Sequence, residues 1–144
     1  MINDNMMLQK TIKLPNDTQE VPKLATFVGE VCEALGINAN VTMQINLAVE
    51  EAVVNVMDYA YPPGTHGDVD IKAQANNEQL KFTITDSGSP FDPTVQAYVD
   101  TTLSAEERPI GGLGIHLVRQ IMDSINYERI DGLNVFTLSK KLNK

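Results

Sequence analysis

The apolar residues of this chain switch period at Pro62-Pro63-Gly64, and that switch limits the fold more than any other feature. Upstream, from about residue 20, apolar residues recur every three or four positions. Leu24, Phe27, Val28, Val31 and Leu35 share one face of a helix expected over 20–35, with Pro22 in its first turn and Gly36 just past its end. Val41, Ile45, Ala48, Val49, Ala52, Val53, Val56 and Ala60 do the same for a helix over 41–61, which Asn38 or Asn40 can cap. Downstream the period is two. Val69, Ile71, Ala73 and Ala75, then Leu80, Phe82 and Ile84, alternate with polar residues on either side of Asn76-Asn77, as a hairpin ending at Asp86 requires. Residues 8–14 read as an earlier strand in which Lys10 interrupts the apolar side. A third helix is expected over 113–124, then strands over 125–130 and 135–142 about an Asp131-Gly132 turn. Two-period hairpins call for a mainly antiparallel sheet, and amphipathic helices must cover one of its faces. The expected fold is therefore α+β, a two-layer α/β sandwich, and 144 residues suit a single domain over 1–144.

Charge narrows the function. Nineteen Asp and Glu outweigh eleven Lys and Arg, a net charge of −8. Such a surface repels phosphate backbones and anionic lipid, so neither direct nucleic-acid binding nor membrane binding is expected. The nearest basic cluster, Lys140, Lys141 and Lys144, is short. A small anion remains within reach, because backbone N–H groups and Mg²⁺ can hold one without net positive charge. Cys32 is the single cysteine, so no intrachain disulfide forms. The N-terminus lacks the basic and apolar segments of a signal peptide, and no apolar run is long enough to span a bilayer. A cytoplasmic protein is expected.

Three local patterns carry candidate chemistry. On the second helix Gln44, Glu51, Asn55 and Asp58 fall in a narrow arc beside the apolar stripe; Glu51 and Asn55 are one turn apart, while Glu50 points about 100° away. A solvated helix face gives the same pattern, but Glu can act as a general base and an Asn oxygen can bind Mg²⁺. Asp86-Ser87-Gly88 follows a strand directly, as a strand-end turn would, or a backbone that approaches a ligand closely. Gly111-Gly112-Leu113-Gly114 opens a helix, as a hinge or as an anion site at a helix N-terminus. The loop between the last two patterns is long for a compact domain, and such loops are usually functional. Neither phosphate-binding motif of the common kinds fits: Ile115-His116 stands where a P-loop needs Lys-Ser/Thr, and Leu117 where a dinucleotide fold needs a small residue. Asp-Ser-Gly also occurs in aspartic proteases, whose mainly β fold the two long helices do not suit. His66 and His116 show no metal-ligand spacing.

Taken together, Glu51-Ala-Val-Val-Asn55, Asp86-Ser-Gly88-Ser-Pro-Phe-Asp92-Pro93 and Gly111-Gly-Leu-Gly-Ile115 resemble the ATPase fold shared by type II topoisomerase subunits, heat-shock protein 90, histidine kinases and MutL. The Pro-Phe-Asp-Pro segment and the ending Met122-Asp123…Tyr127…Gly132-Leu-Asn-Val135…Lys140-Lys141-Leu142 make the chain most similar to the stand-alone anti-sigma-factor serine/threonine kinases of that group, over 12–142. The resemblance implies ATP and Mg²⁺ as cofactors. It implies Asn55 as the Mg²⁺ ligand and Glu51 as the catalytic base toward a substrate hydroxyl. Asp86 would accept from the adenine amino group, and Gly88 would let the base lie against the backbone. Gly111, Gly112, Leu113 and Gly114 would close over the phosphates, residues 94–110 would form the ATP lid, and Arg108 would reach the γ-phosphate. The implied function is phosphorylation of an anti-sigma-factor antagonist and sequestration of a sigma factor. The alternative is an ATP-gated binding module without phosphoryl transfer. A homodimer is implied, with residues 21–31 contributing to a partner face. Tyr59 stands where many relatives carry His.

Overall fold

The fold described is a computed structural model, covering residues 7–62, 64–95 and 112–142. Strand β1 (Leu8–Pro15) leads through a short 3₁₀ turn, Thr18–Glu20, into helix α1 (Val21–Ala34) and helix α2 (Ala39–Tyr59). A hairpin of β2 (Asp68–Ala75) and β3 (Gln79–Asp86) follows, then a 3₁₀ turn at Pro93–Val95, helix α3 (Gly112–Ile121), and a second hairpin of β4 (Ser124–Ile130) and β5 (Leu133–Lys141).

The five strands form one sheet in the order β1-β2-β3-β5-β4, with every neighbouring pair antiparallel. The expected two-layer α+β sandwich is what forms. Alternation sends Val69, Ile71, Ala73 and Ala75 of β2, Leu80, Phe82 and Ile84 of β3, and Phe136 and Leu138 of β5 to one face, where all are buried. The helices cover that face with Leu24, Phe27, Val28 and Val31 of α1, Ile45, Val49, Ala52, Val53 and Val56 of α2, and Ile115 and Val118 of α3. The opposite face carries Lys72, Lys81, Thr83, Thr85 and Thr137 half-buried at the solvent surface. Lys10 keeps the inward register opposite Ala73, yet it stays exposed because β1 is an edge strand.

Local chemistry sets the ends of the elements. Asn38 rather than Asn40 caps α2, its side chain accepting from the Val41 N–H at 2.9 Å. Asn76 Oδ1 accepts from the N–H groups of Glu78 and Gln79, closing the first hairpin. Asp131 and Gly132 take φ of 50° and 81°, the left-handed pair that a two-residue hairpin turn demands. Two helices stop earlier than their periodicity predicts. Helix α2 ends at Tyr59, and the Tyr61 hydroxyl is tied instead to Asp68 O at 2.8 Å. Helix α3 ends at Ile121, because the Asp123 N–H turns away to Ser139 O and Ser124 joins β4. Lys140 Nζ donates to Ile121 O at 2.9 Å and closes the C-terminus of α3, while Lys144 lies outside the described residues.

Gly29 lies inside α1, and a Cβ built there meets nothing within 4 Å. Glycine inside a helix costs about 1 kcal/mol relative to alanine. Gly29→Ala should therefore raise the melting temperature by about 2–5 °C in a chain of this size. A lower melting temperature would show that the chain needs the glycine for packing.

Candidate functional site

The apolar alternation of β3 (Leu80, Phe82, Ile84) reaches position 86 in the inward register, so it buries Asp86, which is 2% exposed. Strand β5 places Asn134 directly opposite, also 2% exposed. Asp86 Oδ1 accepts from the Gly88 N–H and from Asn134 Nδ2, both at 2.9 Å. Asp86 Oδ2 is buried and has no hydrogen-bond partner among the described residues. Burial pushes the Asp86 carboxyl above the usual carboxylate range; the Asn134 amide, the Gly88 N–H and the charge of Arg129 pull the other way. Arg129 is held near by its own bond, Nη1 to Gly88 O at 2.9 Å.

The chain beyond Asp86 is pressed against the end of α2. Ser89 N donates to Ala60 O at 2.7 Å, and Ser87 N donates to the Tyr61 hydroxyl at 3.1 Å. A Cβ at Gly88 would lie 2.4 Å from Ala60 O, so this approach is open only to glycine. The close neighbour of Gly88 is thus the carbonyl of Ala60, the C-cap of α2. Downstream, Phe91 N donates to Asn134 Oδ1 at 3.2 Å, and the Phe91 ring stacks on Tyr59 with centroids 5.3 Å apart. Asp92 Oδ1 accepts from Thr94 N, and Arg119 of α3 donates to Thr94 O at 2.6 Å.

Helix α2 brings the second group. Asn55 is buried, 3% exposed, and its Nδ2 donates to Glu51 O at 2.8 Å. Only the amide nitrogen can donate to a carbonyl, so the Asn55 oxygen faces away from it. Glu51, one turn back, is half-buried, while Gln44 and Asp58 at the ends of the same arc are exposed. A solvated helix face does not bury its asparagine, so the arc is not uniform. Asn55 precedes Ala60 by five residues, about 7–8 Å along the axis. Asn55, Asp86 and Gly88 thus belong to one end of the molecule.

Gly112, Leu113 and Gly114 open a helix as expected: they form the first turn of α3, which packs on α2. Gly111 and Arg108 lie outside the described residues, as do positions 96–110 of the expected lid. Two residues escaped the sequence reading, Asn134 and Arg129. Asn134 does leave a trace, a polar residue in phase with Phe136 and Leu138 on the inward side of its strand.

The arrangement suits a ligand that offers an N–H to a buried carboxylate oxygen and an oxyanion-bound cation to an amide oxygen. Among the described residues no cluster of three His, Cys, Asp or Glu could hold a metal by itself, which leaves the ligand's own oxygens to complete any Mg²⁺ shell at Asn55. No helix among the described residues is long and apolar enough to cross a membrane.

The family model described as histidine kinase-like ATPase domain matches residues 14–140. Serine/threonine-protein kinase BtrW of Bordetella bronchiseptica is 28% identical over 102 residues, 71% of this chain and 72% of that protein. Serine-protein kinase RsbW of Bacillus subtilis is 25% identical over 141 residues, 92% of this chain and 84% of that one. The resemblance to serine/threonine kinases of this group is borne out. Among solved structures, the RsbU and RsbW domains of a Mycobacterium tuberculosis protein align with a TM-score of 0.68 at 14% identity, over 96% of this chain and 33% of that one. The histidine kinase domain of a blue-light activated histidine kinase from Erythrobacter litoralis aligns with a TM-score of 0.52 at 17% identity, over 90% of this chain and 62% of that one. The chain therefore spans a third of the first solved chain and less than two thirds of the second, and at these identities both bear on the fold alone.

The raised Asp86 carboxyl makes a signed prediction for the ligand-free protein. The folded state holds this proton more tightly than the unfolded state, so the contribution favours folding at low pH and is lost as pH rises from the ordinary aspartate range through the folded value. Asp86→Asn removes that dependence. The melting temperature of the variant minus that of the wild type should grow more positive between about pH 4 and pH 7. A difference that stays flat over this range would contradict the burial of an ionisable group at position 86.

Proposed function

This chain belongs to the histidine kinase-like ATPase domain family, and from that premise we propose that it is an ATP-dependent serine/threonine protein kinase. The observation that carries the reading is Asp86 Oδ2, a buried acceptor with no partner among the described residues, held at the end of β3 beside the segment that packs on Ala60, the C-cap of α2. Burying such an oxygen without a partner costs on the order of 1–3 kcal/mol, and a ligand N–H relieves it. The adenine amino group is such a donor.

In this reading residues 1–144 act as one domain. Mg-ATP supplies the transferable phosphoryl group, with the metal neutralising phosphate charge. Asn55 holds the metal through its amide oxygen, whose direction the Nδ2 bond to Glu51 O sets. Glu51, half-buried and one turn away on the same side of α2, takes the proton of the substrate Ser or Thr hydroxyl. Gly112, Leu113 and Gly114 bring the N-terminus of a ten-residue helix toward the phosphates, whose charge its dipole favours; the family resemblance assigns Gly111 and Arg108, outside the described residues, to the phosphates as well. Relatives named serine-protein kinase support a protein substrate. The reading extends to an anti-sigma-factor antagonist as substrate, a sigma factor as the sequestered partner, a homodimer and a cytoplasmic location.

The test is transfer from labelled Mg-ATP to a candidate antagonist protein, wild type beside Glu51→Ala. A positioned general base contributes about 10²–10⁴-fold. Labelled antagonist should form with the wild type and fall by that factor in Glu51→Ala, with ATP affinity unchanged within about twofold. Transfer at the wild-type rate would remove Glu51 as the base. ATP binding without any phosphoprotein would make the chain an ATP-gated binding module instead.

A further inference from the structure

We propose that Asn134 is a positioning residue of the nucleotide site: it locks the Asp86 carboxylate so that Oδ2, and not Oδ1, faces the ligand. This rests on the nucleotide reading of Asp86 given above.

The bonds of Asn134 leave its amide no freedom. Nδ2 donates to Asp86 Oδ1 at 2.9 Å and to Ser89 O at 2.8 Å. Oδ1 accepts from Phe91 N at 3.2 Å and from the Tyr127 hydroxyl. Ser89 O can only accept and Phe91 N can only donate, so the two ends of the amide cannot be exchanged. Both N–H bonds and both lone pairs are used, which is the full capacity of the group. Asn134 therefore has nothing left to offer a ligand and cannot read a base itself.

Its effect falls on Asp86. A carboxylate turns about its last torsion with two-fold symmetry. With the Gly88 N–H as its only fixed donor, Asp86 could turn to share its contacts between both oxygens and relieve the unpaired one. Asn134 prevents that, because a second donor reaches Oδ1 from the opposite strand, and three other partners hold that donor still. Oδ2 is thus kept clear of protein donors among the described residues and turned toward the ligand side, which is what a preorganised acceptor requires. The same amide also ties the 89–91 segment to β5, so a purely structural role makes an opposing expectation: loss of Asn134 would weaken every ligand alike.

Titration of the full chain with Mg-ATP and with Mg-purine riboside triphosphate, which lacks only the 6-amino group, separates the two. The wild type should prefer ATP by about tenfold or more, the value of a hydrogen bond to a charged acceptor. In Asn134→Ala the preference should fall to within about twofold, ATP losing affinity and the analogue keeping it. Should Asn134→Ala not fold, Tyr127→Phe decides: it removes one holder of the amide, keeps the ring, and should reduce the preference in the same direction. A folded variant that binds both ligands more weakly but keeps the wild-type preference overturns the proposal and leaves the kinase reading intact. A wild type that binds ATP without any preference overturns Asp86 as the reader of the amino group, and Asn134 with it. A wild type that binds neither ligand overturns the nucleotide reading itself.

Discussion

The backbone bond from Ser89 N to Ala60 O holds the site end of the molecule together. It ties the segment leaving β3 to the last turn of α2, so that a residue on the sheet and a residue on the helix are fixed relative to each other. Gly88 is the condition for it, since any side chain there would strike the carbonyl that accepts the bond. Tyr61, two residues past the helix, reinforces the joint: its hydroxyl accepts from Ser87 N and donates to Asp68 O, the start of β2. Asn55 and Glu51 are then placed by helical rise alone, and Asp86 by strand alternation alone.

Burial of a carboxyl at position 86 works against stability. A sheet of this kind would be sturdier with an apolar residue at the inward end of β3. The chain instead buries a carboxyl there and bonds one of its oxygens to an amide and a backbone N–H, with the charge of Arg129 acting on the group, leaving the other oxygen without a protein partner among the described residues. Unsatisfied buried polar atoms are rare in native proteins, and each calls for an explanation such as a ligand, an ion or a water. The partners supplied by Asn134, Gly88 and Arg129 offset part of the cost without closing the acceptor.

Most of the fold was legible because periodicity is a local signal. The switch at 62–64, the alternation of 69–75 and 80–84, and the Asp131-Gly132 turn each need only neighbouring residues to read, and the antiparallel two-layer sandwich follows from them. The site was legible in part. Asn55 and Asp86 stood out by pattern, but a helical wheel cannot tell an asparagine beside the core from one inside it. The pairing of Asn134 with Asp86, and of Arg129 with Gly88, could not be read locally, because the partners are 48 and 41 positions away in the chain. Only the β3–β5 register, a non-local pairing, puts Asn134 opposite Asp86. Helix ends were misplaced by a few residues: Pro62 follows Tyr61 and disfavours helix there, and the Asp123 N–H turns to Ser139 O on β5.

Thermal unfolding of the full chain with and without Mg-ATP, wild type beside Asn55→Ala, asks most directly whether α2 and the end of β3 form one nucleotide site. Ligand at a hundred times its dissociation constant adds about 2.7 kcal/mol, several degrees for a chain of this length. One shared site predicts a Mg²⁺-dependent rise in the wild type that is lost in Asn55→Ala. An unchanged wild-type melting temperature at millimolar Mg-ATP would contradict it.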